Sequence, residues 1–129
     1  MAPGNSEGTG IDGRNATRDC AAMRHVLERI GSKWTLIVVS VLHHGPRRFN
    51  QLRRELDGVS QRMLTLTLRN LERDGLISRT VFASVPPQVE YALTGLGQSL
   101  YGAAEGLLDW ADAHSPEMDQ ARAAFDAGA

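Results

Sequence analysis

In the stretch "VSQRMLTLTLRNLERDGLISR", Val59 to Arg79, Arg62, Leu66 and Arg69 follow one another at intervals of four and three residues. Residues so spaced share one face of a helix. On a helical wheel Leu64, Leu68 and Leu71 fall within about 60° of each other, and Arg62, Arg69 and Arg73 fall roughly opposite. An arginine fork donates two parallel hydrogen bonds to guanine, glutamine pairs with adenine, and a leucine or a threonine methyl touches the methyl of thymine. Ser60, Gln61, Arg62, Thr65, Leu66 and Arg69 are therefore candidate base-reading residues of a helix laid in a DNA major groove. The competing reading is an ordinary amphipathic helix whose arginines pair with Glu55, Asp57, Glu72 or Asp74. Two β-branched threonines weaken a helix, which points to a use for them beyond helix formation.

Other cations surround this segment. The formal net charge of the 129 residues is -1, but residues 33–82 carry nine bases and four acids, and residues 83–129 carry one base and seven acids. A basic middle beside an acidic end suits one face meeting a polyanion. Eight of the nine central bases are arginine, the type that forks onto phosphate and guanine. Lys33, Arg47, Arg48, Arg53, Arg73 and Arg79 are candidate phosphate ligands, which set register without reading sequence. Arg54 lies beside Arg53 on the same segment.

These residues need elements to carry them. "TRDCAAMRHVLERIG" predicts a first helix capped by Thr17 or Asp19 and stopped by Gly31. "KWTLIVVSVLHHG" predicts a second, with Trp34, Ile37, Val38, Val41 and Leu42 on its apolar face, ended by His43 and His44. "RRF" reads as a short strand. "NQLRRELDG" reads as a third helix capped by Asn50, with Leu52 and Leu56 inward and Gly58 permitting the turn. Ser60 caps the fourth helix and Gly75 ends it. Two helices joined through a tight turn form a helix-turn-helix. "LISRTVF" and "QVEYALT" then alternate as strands, with Ile77, Arg79 and Val81 on one side and Val89, Tyr91 and Leu93 together. The two prolines of "ASVPP" make a stiff turn between them, so Val85, Pro86, Pro87 and Gln88 form a wing tip without charge. Thr94 caps a last helix, which Pro116 is expected to end.

The expected class is α+β: a winged helix-turn-helix with added terminal helices. Residues 1–16 read as a disordered Gly-rich lead, 17–114 as the domain, and 115–129 as a weakly structured acidic tail. Met23 and Leu27 on the first helix, with Leu100, Leu107, Leu108 and Trp110 on the last, supply apolar surface for a homodimer.

No apolar h-region opens the chain, and "WTLIVVSVL" is too short to span a bilayer. One cysteine permits no internal disulfide, so a reducing, cytoplasmic setting is expected. His25, His43, His44 and His114 have no zinc spacing, so no metal is expected. No cofactor and no catalytic activity are expected, because neither a nucleophile–base motif nor a Gly-rich phosphate loop occurs. Cys20 lies near the expected start of the first helix, where a thiol is activated, with Arg18 and Arg24 close by. It is a candidate redox or electrophile sensor. The alternative is a packed small hydrophobe. An apolar effector between the first and last helices, near Trp34, Tyr101 or Trp110, is a further possibility, as is a winged helix that meets only other proteins.

Cys20 with "IGSKWTLIVVSVL", "RRFNQLRRELDGVSQRMLTLTLRNLERDGLISR" and "VPPQVEYALTGLGQSL" resembles the HxlR-type bacterial transcriptional regulators over about residues 20–110. The resemblance implies a homodimer joined by its terminal helices. It implies binding to double-stranded DNA at a short inverted repeat near a promoter, most often as a repressor. It also implies a cysteine before the first helix that answers oxidants, quinones or other electrophiles. Two positions depart from the pattern. Ala21 follows Cys20 where the family usually has Pro, and Ser32 stands where Gly usually precedes Lys-Trp.

Overall fold

The structure, a computed structural model, describes residues 13–128. The elements are α1 (Gly13–Ile30), α2 (Lys33–His43), β1 (Arg47–Arg48), α3 (Phe49–Glu55), α4 (Gln61–Arg73), β2 (Ile77–Phe82), β3 (Gln88–Leu93) and α5 (Gly95–Gly128). The three strands form one antiparallel sheet in the order β1-β3-β2. This is the α+β winged helix-turn-helix with helices added at both ends.

The core lies between α2, α3, α4 and the start of the sheet. Val38, Val39 and Leu42 of α2 meet Leu52 and Leu56, then Leu64, Leu68 and Leu71 of α4, and Leu76 and Ile77 close it. Burying a leucine fully is worth about 1.5–3 kcal/mol, so the inner face of α4 is firmly held. Gly58, at φ 88°, turns the chain between α3 and α4. Ser60 caps α4: its Oγ accepts from the Met63 N–H at 3.0 Å. At the other end Gly75 adopts φ 78°, and the Leu76 and Gly75 N–H groups return to the Leu71 and Glu72 carbonyls at 2.9 and 3.0 Å. That closure satisfies the last carbonyls of the helix.

The hairpin register is the one the alternation requires. Ile77 faces Leu93, Arg79 faces Tyr91 and Val81 faces Val89. Thr94 then links sheet to helix, donating to the Gly75 carbonyl at 2.7 Å and accepting from the Gly97 N–H at 3.1 Å. Gly97 is required there, because a Cβ would stand 2.1 Å from the Leu76 carbonyl oxygen.

Five local expectations are corrected. α1 begins at Gly13, before the expected caps at Thr17 and Asp19. With Ala21 in place of proline, the backbone N–H survives and nothing stops the helix continuing toward the N-terminus. The expected lead over residues 1–16 therefore ends in helix, and residues 1–12 lie outside the described residues. α3 begins at Phe49 instead of after an Asn50 cap; Gln51 Oε1 accepts from the Arg48 N–H at 2.8 Å, so the chain turns as soon as β1 ends. On α2, Val39 is buried and Ile37 exposed, because a run apolar on all sides lets its neighbours choose the inner face. Ser32 at the divergent position caps that helix through the Trp34 N–H at 3.3 Å. Finally, α5 does not end at Pro116 but continues through it to Gly128. A proline removes its own hydrogen bond and crowds the preceding turn, but it does not stop strong helix formers such as Glu117, Met118, Gln120 and Ala121 from following it.

Candidate nucleic-acid interface

The α4 face opposite the core is open. Gln61, Arg62, Thr65, Leu66 and Arg69 are all exposed, as is Ser60 at the cap. The alternative in which the arginines pair with local acids is not what forms. Asp74 is taken by Arg29 of α1 at 3.1 Å, and Glu55 by Arg47 at 2.8 Å. Among the described residues, Arg62, Arg69 and Arg73 make no ion pair. The two threonines part company. Thr65 points outward, while Thr67 is buried and donates to the Met63 carbonyl at 2.8 Å. That back-bond satisfies Thr67 within its own helix, so only Thr65 is available to a partner.

The expected phosphate ligands also divide. Lys33 is exposed at the start of α2, with its ammonium 5.3 Å from the centre of the Trp34 ring. Arg48 and Arg53 are exposed around α3, and Arg79 is exposed on β2 at the base of the wing. Arg47 is engaged within the chain itself. Its Nε donates to both Glu55 carboxylate oxygens, at 2.8 and 3.1 Å, and its Nη1 to the Gly45 and Pro46 carbonyls at 2.8 and 3.1 Å. Arg47 and Arg48 alternate in direction as strand residues must; the first is drawn back onto the loop and α3, and the second is left outward.

In the wing, Val85, Pro86 and Pro87 are exposed and Gln88 is half-buried where β3 begins. Arg54, beside Arg53 on α3, has no role that the sequence alone indicates. It lines a cleft of about 490 Å³ with Arg48, Phe49, Asn50, Gln51, Pro87, Gln88 and Val89. The signal for it is the pairing of Arg48 with Glu90 across β1 and β3, and a two-residue strand carries too little pattern to reveal that pairing.

The terminal helices are mostly uncovered. Met23 and Leu27 on α1, and Leu107 and Trp110 on α5, are exposed, and Leu108 is half-buried. Leu100, expected at a dimer interface, packs against the chain's own core. Cys20 is exposed, so within the chain it is not a packed hydrophobe. It lies about two turns inside α1, whereas a helix dipole acts within the first turn. The dipole argument for its activation therefore falls. The expected effector aromatics are also differently employed: Trp34 and Tyr101 pack on the core, and Tyr101 stacks on His43 with ring centres 3.7 Å apart. The apolar cavity between α1 and α5, about 370 Å³, is lined instead by Val26, Ile30, Leu76, Leu96, Leu100 and Ala103, with Arg29, Asp74 and Ser99 at its edge. Among the described residues, no group of His, Cys, Asp and Glu could hold a metal ion, and no helix is long and apolar enough to cross a membrane.

Comparison with known proteins decides the family. The model of the HxlR-like helix-turn-helix matches residues 29–119. The chain belongs to the HxlR-like family. It is 40% identical over 115 residues to the HTH-type transcriptional regulator YdeP of Bacillus subtilis (strain 168), covering 89% of this chain and 90% of that protein. It is 40% identical over 95 residues to the HTH-type transcriptional regulator YtfH of Escherichia coli (strain K12), covering 74% and 75%. Among solved structures, the redox regulator HypR in its reduced form superimposes with a TM-score of 0.73 at 37% identity, over 77% of this chain and 98% of that one. As an HxlR-like protein the chain is a transcriptional regulator of the helix-turn-helix type, and DNA is its partner.

Proposed function

We propose that the protein is a homodimeric repressor that binds a short inverted repeat near a promoter. The observation that carries this reading is the outward row Arg62, Leu66 and Arg69 on α4, unpaired among the described residues, on a helix whose opposite face is locked in the core. In the duplex, α4 enters the major groove and Arg62 and Arg69 fork onto guanines, with Gln61, Thr65 and Leu66 on neighbouring base edges. Ser60 sits at the helix start, where N–H groups favour a phosphate. Lys33, Arg48, Arg53, Arg73 and Arg79 hold the backbone. A single copy reads one half-site, and a two-fold pair reads a palindrome. The exposed apolar faces of α1 and α5 support such a pair, through Met23, Leu27, Leu107, Leu108 and Trp110.

Cys20 is the proposed switch, with an oxidant or electrophile as effector. One thiol per chain permits no internal disulfide: the Cys20 thiols of two copies, or one Cys20 thiol and a small thiol, lose two protons and two electrons to the oxidant, and one S–S bond forms. An electrophile instead adds to a single thiolate. Either product alters α1, and the Arg29–Asp74 pair ties α1 to the C-cap of α4. The likeness to a redox regulator supports this assignment. A second reading is favoured by the apolar cavity between α1 and α5, in which a small apolar ligand would shift the same two helices.

The test is titration of fragments from the protein's own upstream region, with and without a quinone or diamide. Tight binding to one fragment, lost on treatment, is expected; a thiol reductant restores it where the product is a disulfide and not where it is a quinone adduct. Equal affinity for all fragments would remove the sequence-specific reading.

A further inference from the structure

The tip of the wing lacks the cations that a strand of phosphates would meet. That tip, Ala83 to Pro87, contains no charged residue. At the base of the wing, however, lies the cleft of about 490 Å³ between the first turns of α3 and the start of β3. The pairing of β1 with β3 creates it, because Arg48 stands opposite Glu90 and delivers α3 beside the residues where the chain leaves the wing.

The polar chemistry of the cleft is that of donors. Arg48 and Arg54 bring two guanidinium groups, and Asn50, Gln51 and Gln88 bring amides. Gln51 Oε1 is already occupied by the Arg48 N–H at 2.8 Å, which leaves its NH₂ to donate. Among the described residues, no carboxylate lines the cleft. Glu55, the acid of α3, is held by Arg47. Glu90 lies across from Arg48 in register but forms no ion pair with it. A second hollow, lined by Asn50, Arg53 and Arg54, adjoins the first along α3. Two arginine forks without an ion pair among the described residues, with several amide donors, fit an anion with several acceptor oxygens, which is the chemistry of phosphate.

We propose that this cleft seats one backbone phosphate of the bound duplex between the Arg48 and Arg54 guanidinium groups, and so positions the wing with its uncharged tip. The inference rests on the regulator reading above and adds Arg54 to it. With that phosphate fixed at the wing's base, the Gln88 amide is set at the edge of the adjoining groove without any cation at the tip. Arg48 and Arg54 then act on one charge between them, so their effects do not add.

The experiment is a methylphosphonate scan. Promoter duplexes, each with one phosphate replaced by the neutral group, are titrated with the wild type, Arg48→Gln, Arg54→Gln and the double variant; urea melts confirm that all four fold. Each single variant is expected to lose about tenfold in affinity, as for one hydrogen bond to a charged group. At one position the neutral group should weaken the wild type by a similar factor and leave Arg54→Gln nearly unchanged. The double variant should lower the salt slope by about one, the value for a single phosphate. Two results would overturn the proposal: no position coupled to Arg54, or a double variant whose slope falls by about two. Inorganic phosphate and a nucleoside diphosphate form a separate arm. If either raises the melting temperature of the DNA-free wild type but not of Arg54→Gln, and no duplex position is coupled, the cleft takes a free ligand and the DNA assignment fails. A wild type that binds no promoter fragment would instead bring down the regulator reading itself.

Discussion

On α4, Leu64 and Leu68 are four residues apart and at most 2% exposed; on α1, Met23 and Leu27 are four residues apart and 64% and 52% exposed. The two helices share a spacing and differ in what covers them. The α4 stripe is closed by α2, α3 and the sheet of its own chain. Among the described residues α1 touches the rest of the molecule mainly at its C-terminal end, through Ile30 on the core and Arg29 on Asp74. Charge follows the same division, with the bases gathered around the helix-turn-helix and the acids along α5. Periodicity shows that a face calls for cover; whether that cover comes from the same chain depends on how many elements stand next to it. The middle of this protein is complete by itself, and its ends are open.

The largest effect that could break this contrast is on stability. Leu68→Ala should cost about 2–5 kcal/mol, as a large-to-small change in a closed core does. Leu27→Ala and Leu107→Ala remove equally large side chains from open faces and should barely alter the stability of an isolated chain. Their effect should appear in light scattering, as a fall from a dimer toward the 14.1 kDa of one chain. A wild type that already scatters as a single chain would refute the view that the open ends meet each other.

Next in size is the contrast between reading and holding. Arg62→Ala and Arg69→Ala should each weaken cognate binding by roughly 1–3 kcal/mol and relax base preference. Arg53→Ala should weaken cognate and scrambled duplexes alike and lower the salt slope by about one. Titrations on both duplexes at two salt concentrations separate the roles, and equal losses across all three variants would erase the distinction.

Smaller again is the difference between two adjacent arginines. Arg47 is bound to Glu55 and to two carbonyls, while Arg48 makes no ion pair among the described residues. Arg47→Ala should cost about 1 kcal/mol of stability, since a charge-assisted bond that is partly exposed contributes modestly. It should leave the salt slope of DNA binding unchanged. A slope reduced as in Arg53→Ala would return Arg47 to the phosphate ligands.

These contrasts also mark what the sequence could and could not reveal. The α4 wheel, the Ser60 and Thr94 caps, the Gly75 stop and the hairpin alternation are local, and each was legible because the physics that fixes it spans only a few residues. The terminal helices were legible in the same way, and the family resemblance added only the expectation that they join two copies. What escaped depends on contacts between distant residues. Arg29 meets Asp74 across 45 positions, Arg47 turns to Glu55 because β1 is drawn to β3, and the cleft at Arg54 exists only once that pairing forms. Two local errors have local causes. Pro116 suggests a stop, but the residues after it favour helix, and Cys20 suggests a helix start, but Ala21 lets the helix run past it.

The smallest expected effect sharpens the contrast most. Cys20→Ser should leave stability and DNA affinity close to wild type, because the side chain is exposed and no hydrogen bond to it is present within the described chain. The difference should emerge only under oxidant. Cys20 lies on the open α1, beside Met23, Arg24 and Leu27; a covalent change there disturbs a surface that another copy is proposed to cover and leaves the closed core intact. The half-sites of a DNA palindrome have fixed spacing, so a small rotation of the two reading helices against each other loses contacts at both ends. Wild-type binding should therefore fall on diamide or quinone, and recover with reductant where the product is a disulfide, while Cys20→Ser binds throughout. Non-reducing electrophoresis distinguishes the two products, since a disulfide between copies doubles the mass and an adduct does not. If wild type and Cys20→Ser respond alike to the oxidant, the switch does not reside in this thiol, and the apolar cavity between α1 and α5 becomes the place to look for an effector.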